Sequence, residues 1–177
     1  MEFRSAGVDD AAAVAALHAD SWRRHYRGAY SDSFLDGDVV TNRLGVWAER
    51  LAAPADTATV LAEEDGELKG FVHVMFDHDP EWGSLVDNLH VHYTQQRTGI
   101  GTQLMAHAAR AVIDQAAGDA IYLWVLEQNT RAQAFYLATG ATQAGQRPIS
   151  PPGGDPSRLN GSPLAFRMVW PDASRLK

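Results

Sequence analysis

VDNLHVHYTQQRTGIGTQLMAHAA, residues 86–109, passes from a β-forming run through a polar turn and a glycine pair into a helical pattern. Val86 to Tyr93 reads as a strand. Ile100, Leu104, Ala108 and Val112 then recur on one face of a helix. Between them, Gly99 and Gly101 flank the helix start, and without side chains they let the backbone take unusual dihedrals and approach a ligand closely. A junction of this kind aims several free backbone N–H groups and the positive end of the helix dipole at one point, where a phosphate can sit without a dedicated lysine. Read alone, the pair also fits ordinary turn and packing glycines. Two better-known phosphate loops are excluded: there is no GxxxxGK[ST], and Leu104 stands where the third glycine of GxGxxG would be.

The surrounding pattern fits a single domain spanning residues 1–177, long enough to bury a core without staples. With no cysteine, disulfides, cysteine-based zinc sites and cysteine nucleophiles are excluded, and a reducing compartment is compatible. The N-terminus has no apolar core of signal-peptide length and no 18-residue apolar run occurs. The expectation is therefore a cytoplasmic protein with no membrane partner. A formal net charge of −7 argues against a nucleic-acid partner and is compatible with either a cationic substrate or a merely solubilising surface.

Working outward, Asp9 is placed to cap a first helix through Val14, Leu17 and Trp22, ending near Gly28. Trp22, Tyr26 and Tyr30 recur every four residues and read either as a pocket lining or as a packed aromatic stripe. Val40, Leu44, Trp47 and Leu51 predict the apolar face of a second helix, stopped by Pro54. Thr57–Glu63 and Leu68–Phe76 predict a hairpin about Asp65-Gly66, with a polar loop from Asp77 leading into the central strand. Gly118 is placed as the C-cap of the helix after the glycine loop, before a buried strand at Ile121–Leu126. Asn129 predicts the cap of a further helix closing at Gly140, followed by strands near Thr142–Arg147 and Leu164–Trp170. The Pro/Gly-rich segment between those strands reads as a mobile flap. This order predicts an α/β (α+β) fold, a central twisted mixed sheet of about six to seven strands flanked by about four helices.

Two motifs in sequence order, QxxGxG at Gln96–Gly101 and NxxAxxFY at Asn129–Tyr136, make this chain resemble the GNAT superfamily of acetyl-CoA-dependent N-acetyltransferases. The resemblance implies acetyl-CoA as cosubstrate. Its arm would lie between two splayed strands, on backbone groups of Leu89, His90 and Val91. The pyrophosphate would rest on N–H groups of Arg97, Thr98, Gly99, Ile100, Gly101 and Thr102 behind Gln96, and Asn129 would touch the arm. Tyr136 matches the tyrosine that, in many members, gives a proton to the departing thiolate. Family positions for a glutamate base fall here on Leu85 and Trp124, which cannot act, so Asp87, His90, Glu127 or a water relay are the candidates. Asp87 and Leu89 share a strand face, with His90 on the other unless a bulge intervenes.

By fold analogy, Trp22, Tyr26, Tyr30, Asp87, the Asp77–Trp82 loop including Trp82, and the Pro148–Gly161 segment surround the acceptor. Their aromatics and acids suit a small cationic amine, with a peptide amine as the alternative. No metal is expected, since His90 and His92 lack an evident third ligand. A non-catalytic acyl-CoA-binding module and a nucleotide-phosphate binder are the competing classes. The last strand and the tail PDASRLK suggest a possible homodimer contact.

Overall fold

A computed structural model describes residues 1–176. Seven strands form one sheet: β1 (Glu2–Ser5), β2 (Thr57–Glu64), β3 (Glu67–Asp79), β4 (Gly83–Val91), β5 (Ile121–Leu126), β6 (Thr142–Pro148) and β7 (Leu164–Trp170). Their order is β1-β2-β3-β4-β5-β7-β6, antiparallel throughout except between β4 and β5. The helices are α1 (Ala11–His25), α2 (Asp32–Asp36), α3 (Val39–Ala52), α4 (Ile100–Gln115) and α5 (Thr130–Ala138). This matches the expected mixed sheet between helices and adds two short elements, β1 and α2, too brief to show a period.

Two cores hold the layers together. Ile100, Leu104, Ala108 and Val112 of α4 are buried against Val72, Val74, Val86, Leu123 and Val125 of the sheet. The period read from the sequence is the packed face. On the other side, Val14 and Leu17 of α1 and Trp47 and Leu51 of α3 cover Leu61 and Phe71. Here the sequence reading needs correction, because Val40 and Leu44 are 39% and 41% exposed while the buried positions are Val39, Arg43, Trp47 and Leu51. Steps of four residues keep those four on one line of the helix, and Val40 and Leu44 lie about 100° round from it. An arginine occupies a core line of α3.

Several local expectations also change. Asp9 does not cap α1: a 3₁₀ turn precedes the helix, and Asp10 instead accepts the Gly7 N–H at 2.7 Å while pairing with Arg4 of β1. Arg4 also binds Glu63 of β2, which fixes β1 at the sheet edge. The loop expected from Asp77 is mostly strand, β3 running to Asp79 before a tight turn. α4 ends at Gln115, short of Gly118, and the Asp77 carboxylate accepts the Ala117 and Gly118 N–H groups at 2.8 and 3.3 Å. Gly140, at φ +96°, does follow the end of α5 as expected.

The Pro/Gly-rich segment is pinned rather than free. Ser31 N–H donates to the Arg158 carbonyl, Asn160 N–H to that of Ala29, and the Asn160 amide to that of Gly28, at 2.8–3.0 Å. The contacts foreseen for a homodimer are engaged within the chain, since β7 lies between β5 and β6, and Ala173 and Leu176 are buried against the α4 core. Among the described residues, no helix is long and apolar enough to cross a membrane.

Among the described residues the sheet's one parallel contact is short: β4 and β5 pair at Ser84–Ile121 and Leu85–Tyr122. Gly83 lies at its closed end with φ +83°, and a Cβ there would sit 2.3 Å from the Ala120 carbonyl oxygen. Gly83→Ala is therefore expected to lower unfolding free energy by about 2 kcal/mol or more through backbone strain and steric clash. Denaturant unfolding measures this, and a change under about 0.5 kcal/mol, typical of a neutral surface substitution, would remove the close approach as a constraint.

His73 is buried beside Trp47 with Nδ1 2.8 Å from Thr59 Oγ1, and burial lowers its pKa to about 4. The folded chain therefore resists a proton that the unfolded chain takes up near pH 6.5. The stability from neutral His73 is full above that pH and is lost as pH falls toward 4, by roughly 3 kcal/mol. Urea unfolding at pH 7 and pH 4.5 should show a steeper loss in the wild type than in His73→Gln; equal losses would contradict it.

Candidate functional site

Beyond Leu85 and Tyr122 the two central strands part, leaving one edge of β4 without a strand partner from Val86 onward. A cleft of about 450 Å³ opens between them, bordered by Val86–Val91 of β4, Leu123–Leu126 of β5, the glycine loop, and Asn129, Ala132, Phe135 and Tyr136 of α5. α1 contributes Ser21 and His25, and Tyr26 follows at its end.

The shape of β4 comes from a bulge. His73 pairs with Asn88 and the next residue, Val74, with Val86, so Asp87 is the extra residue. The slip changes which side chains share a face. Val86, Leu89 and Val91 pack toward the α4 core, whereas Asp87 reaches Arg50 of α3 and His90 reaches α1. Asp87 and His90 thus point to the same side of the sheet, and Leu89 to the other, reversing the unbulged expectation.

At the start of α4, Gly99 caps with φ +89° after Arg97 at φ +71°. The first helical hydrogen bond runs from Gln103 N–H to the Gly99 carbonyl, so the N–H groups of the preceding turn have no partner within the helix. Gly101 borders the cleft, and a Cβ there would meet no protein atom closer than 3.5 Å. The chain's own packing does not demand glycine at that position. Its bareness instead keeps the cleft clear beside donors and a helix dipole, an arrangement that fits a pyrophosphate. The unpartnered edge of β4 fits an extended amide-bearing arm, which can add as a strand does.

Most expected cofactor-side residues meet here: Leu89, His90, Val91, Gln96, Arg97, Gly99, Gly101, Thr102, Asn129 and Tyr136 all line the cleft. Thr98 and Ile100 do not. The Thr98 hydroxyl donates to the Gln95 carbonyl and Ile100 is buried in the α4 core, so each can offer only backbone. Asn129 caps α5, accepting the Ala132 N–H at 3.2 Å, and its amide nitrogen remains available to the cleft. Tyr136 is 8% exposed, and among the described residues its hydroxyl has no hydrogen-bond partner. Burial raises its pKa, with the nearby Tyr26 hydroxyl adding to the effect, so the phenol keeps its proton.

Of the proposed acceptor residues, Tyr26 and Asp87 border the cleft; Trp22, Tyr30 and Trp82 do not. Trp22 and Tyr30 are buried with Phe34 and Leu35 in an aromatic wall, because a four-residue spacing drifts across the end of α1 into the loop that follows. Trp82 lies at the closed end of the strand pair, stacked by Arg167 at 4.3 Å. Glu127 is exposed on a separate hollow with Gln128 and Asn160.

His90 Nδ1 lies 2.7 Å from Ser21 Oγ, and its ring packs 4.5 Å from that of His18. Burial first, then the nearby His25 and Arg43, push its pKa down to about 3, with Asp87 opposing. It is a neutral ring and a weak base. His92 turns away to Thr94 at 2.8 Å, and no cluster of three His, Cys, Asp or Glu suited to a metal occurs among the described residues. Asp87 forms an ion pair with Arg50 Nη2 at 2.8 Å and accepts a hydrogen bond from the Asn88 amide at 2.7 Å. Ser21, His18, Arg43 and Arg50 escaped the sequence reading. The available signal was the line Val39-Arg43-Trp47, which sets a cation among core positions.

The model of the acetyltransferase (GNAT) family matches residues 19–141, about two thirds of the chain. A curated relative, the uncharacterized N-acetyltransferase YuaI of Bacillus subtilis (strain 168), is 26% identical, with 98% of this chain and 95% of the relative covered. Among solved structures, the PaiA N-acetyltransferase of Thermoplasma acidophilum in complex with coenzyme A superposes with a TM-score of 0.72 at 17% identity, covering 96% of this chain and 98% of that one. The structure of yncA from Salmonella typhimurium with its cofactor acetyl-CoA gives 0.67 at 18% identity, covering 97% and 93%. Together with the parted strands, the glycine loop and the helix that follows, the match establishes that this chain belongs to the GNAT family of acetyltransferases, with acetyl-CoA as its cosubstrate.

Proposed function

We propose that this protein moves the acetyl group of acetyl-CoA directly to the primary amine of a small acceptor while both are bound. The observation that carries this reading is the cleft itself, which joins an open strand edge, unpaired helix N–H groups and an unpartnered tyrosine hydroxyl. The loop from Arg97 to Thr102 holds the pyrophosphate through backbone donors, and the free edge of β4 about Leu89 and Val91 receives the arm. An N–H on that edge also opposes the negative charge that develops on the thioester carbonyl oxygen.

The acceptor nitrogen forms its bond to the acetyl carbon as the carbon–sulfur bond breaks. Tyr136 donates a proton to the leaving sulfur, and the proton released by the amine replaces it in the overall balance. With no cysteine in the chain, an acetyl-cysteine intermediate is excluded. His90 is too weak a base for an alkylammonium proton, so we assign that step to water in the cleft, with the Asp87 carboxylate, steadied by Arg50 and Asn88, ordering the relay.

Tyr136→Phe should lower kcat by about 10²-fold, the usual scale of a lost general acid, with little change in KM for acetyl-CoA. Thiol release from acetyl-CoA measures it, and unaltered turnover would remove Tyr136 from the chemistry. The pH profile gives a second check. His25 and His90 both have lowered pKa values, Tyr26 is pushed up to about 12 by burial, and Tyr136 is raised also. None of these four groups changes charge between about pH 7 and 9. The profile of kcat/KM should then rise only with deprotonation of the acceptor amine and show no descending limb below about pH 9.5. A fall in that range would indicate an acid other than a buried phenol.

A further inference from the structure

Arg43 presents a feature that the transfer chemistry does not use. It stands on the buried line of α3, 8% exposed, with its guanidinium 4.2 Å over the Trp22 ring. Its hydrogen bonds go to a single neutral acceptor, Asn42 Oδ1, from Nε at 3.0 Å and Nη2 at 2.6 Å. Among the described residues no carboxylate lies within ion-pair distance of it. A buried guanidinium without an anion is costly, and the cost is normally met by a paired carboxylate.

Arg43 does not itself line the cleft, but it stands one layer behind its acceptor side. Trp22, on which it lies, packs against Tyr26 and Tyr30 at 5.5 and 4.9 Å, and Tyr26 borders the cleft. The positive field of Arg43 reaches the Tyr26 and Tyr30 hydroxyls and the His90 ring, as does the negative field of Asp87. Arg50 adds a second cation there, bound to Asp87 through Nη2 but with Nη1 buried and unpartnered. Arg158 is a third cation close to Arg43, and Asp155 lies 3.7 Å from its Nε. The carboxylates Asp87 and Asp155 already face Arg50 and Arg158, which leaves Arg43 over. Burial first pulls its pKa down to about 10, with Arg50 and Arg158 adding to the strain on its charge.

We propose that the acceptor amine carries a carboxylate, and that Arg43, held flat against Trp22, receives it. This rests on the acetyltransferase reading above and deepens it. It narrows the expectation of a small cationic amine, which came from aromatics and acids visible in the sequence before Arg43 and Arg50 were placed beside them. A guanidinium suits the task because its planar donors match a carboxylate, and the bond to Asn42 fixes its plane in advance. An acceptor of this class is an amino acid, with its amine directed to the thioester and its carboxylate to α3.

The test compares matched acceptors: α-amino acids against their carboxamides, β-alanine against propylamine, and 2-aminoethylphosphonate and spermidine as further arms. With acetyl-CoA saturating, kcat/KM for the carboxylate member should exceed that of its neutral partner by about tenfold or more, since a site built for a charged group leaves it unpaired with the neutral analogue. Arg43→Met should remove that preference mainly through KM, and Arg43→Lys should restore part of it. An acetyl-CoA-induced rise in melting temperature in each variant shows that fold and cofactor half survive. If Arg43→Met does not fold, Arg43→Lys and Arg43→Gln carry the comparison.

Preference for carboxamides, propylamine or spermidine, or a carboxylate preference untouched by Arg43 substitution, overturns the inference. Phosphonate favoured over carboxylate overturns the choice of carboxylate. Should acetyl-CoA bind but no acceptor turn over, calorimetric binding of the same pairs to the CoA-saturated protein decides, and absence of carboxylate-dependent binding also overturns it. A chain that neither bound acetyl-CoA nor released thiol would instead sink the acetyltransferase reading on which this inference stands.

Discussion

Everything in this molecule depends on two strands that pair briefly and then part. β4 and β5 are held together over two residue pairs, at an end where Gly83 allows backbone to lie almost on backbone. Parallel strands ordinarily continue their ladder, because each unpaired amide left in a protein interior is expensive. Here the bulge at Asp87 twists β4 away, and the divergence becomes affordable only because the freed edge faces a cleft. The same bulge brings Asp87 and His90 onto one face. A single inserted residue therefore accompanies the parting of the strands and sets which polar side chains face α1 and α3.

The two sides of that cleft follow different electrostatic rules. On the α4 side the cleft is bordered by backbone donors aligned by a helix start, with the exposed arginines Arg97 and Arg131 beside them. On the α1 and α3 side the protein buries histidines that stay neutral and arginines that keep their charge at neutral pH. The neutral rings of His18, His73 and His90 fill space around Trp47 and Phe71 without adding cations to a region that already holds Arg43 and Arg50. Charge on this side is thus concentrated in a few fixed groups.

The glycine-loop side of the cleft was legible in the sequence because its signals are local. A strand, a glycine pair and an amphipathic helix lie in one stretch of 24 residues, and the Asn129 cap and Tyr136 lie in another of eight. The side of the cleft proposed for the acceptor draws on α1, α3, the bulge of β4 and the segment near Arg158, which are distant in sequence. Tyr26 and Trp22 show how little spacing alone could say: both belong to one aromatic series, yet one borders the cleft and the other is a wall beneath it. Arg43 was hidden for a different reason. Helical periodicity was read from apolar residues, so the line through Val40 and Leu44 was preferred to the true one, which contains a cation. Contacts such as His90 with Ser21 follow from tertiary packing and leave no mark in either segment.

The free edge of β4 has a cost outside catalysis. A strand edge is a template for any extended chain, and natural sheets usually hide or charge such edges. This one is an interior edge, shielded by the walls of a narrow cleft and contoured by a bulge that spoils regular pairing with a flat strand. Each time product leaves, the domain returns briefly to a form with an open β template near its centre. A ligand lying along this edge would both stabilise the fold by simple mass action and hide the template from other extended chains.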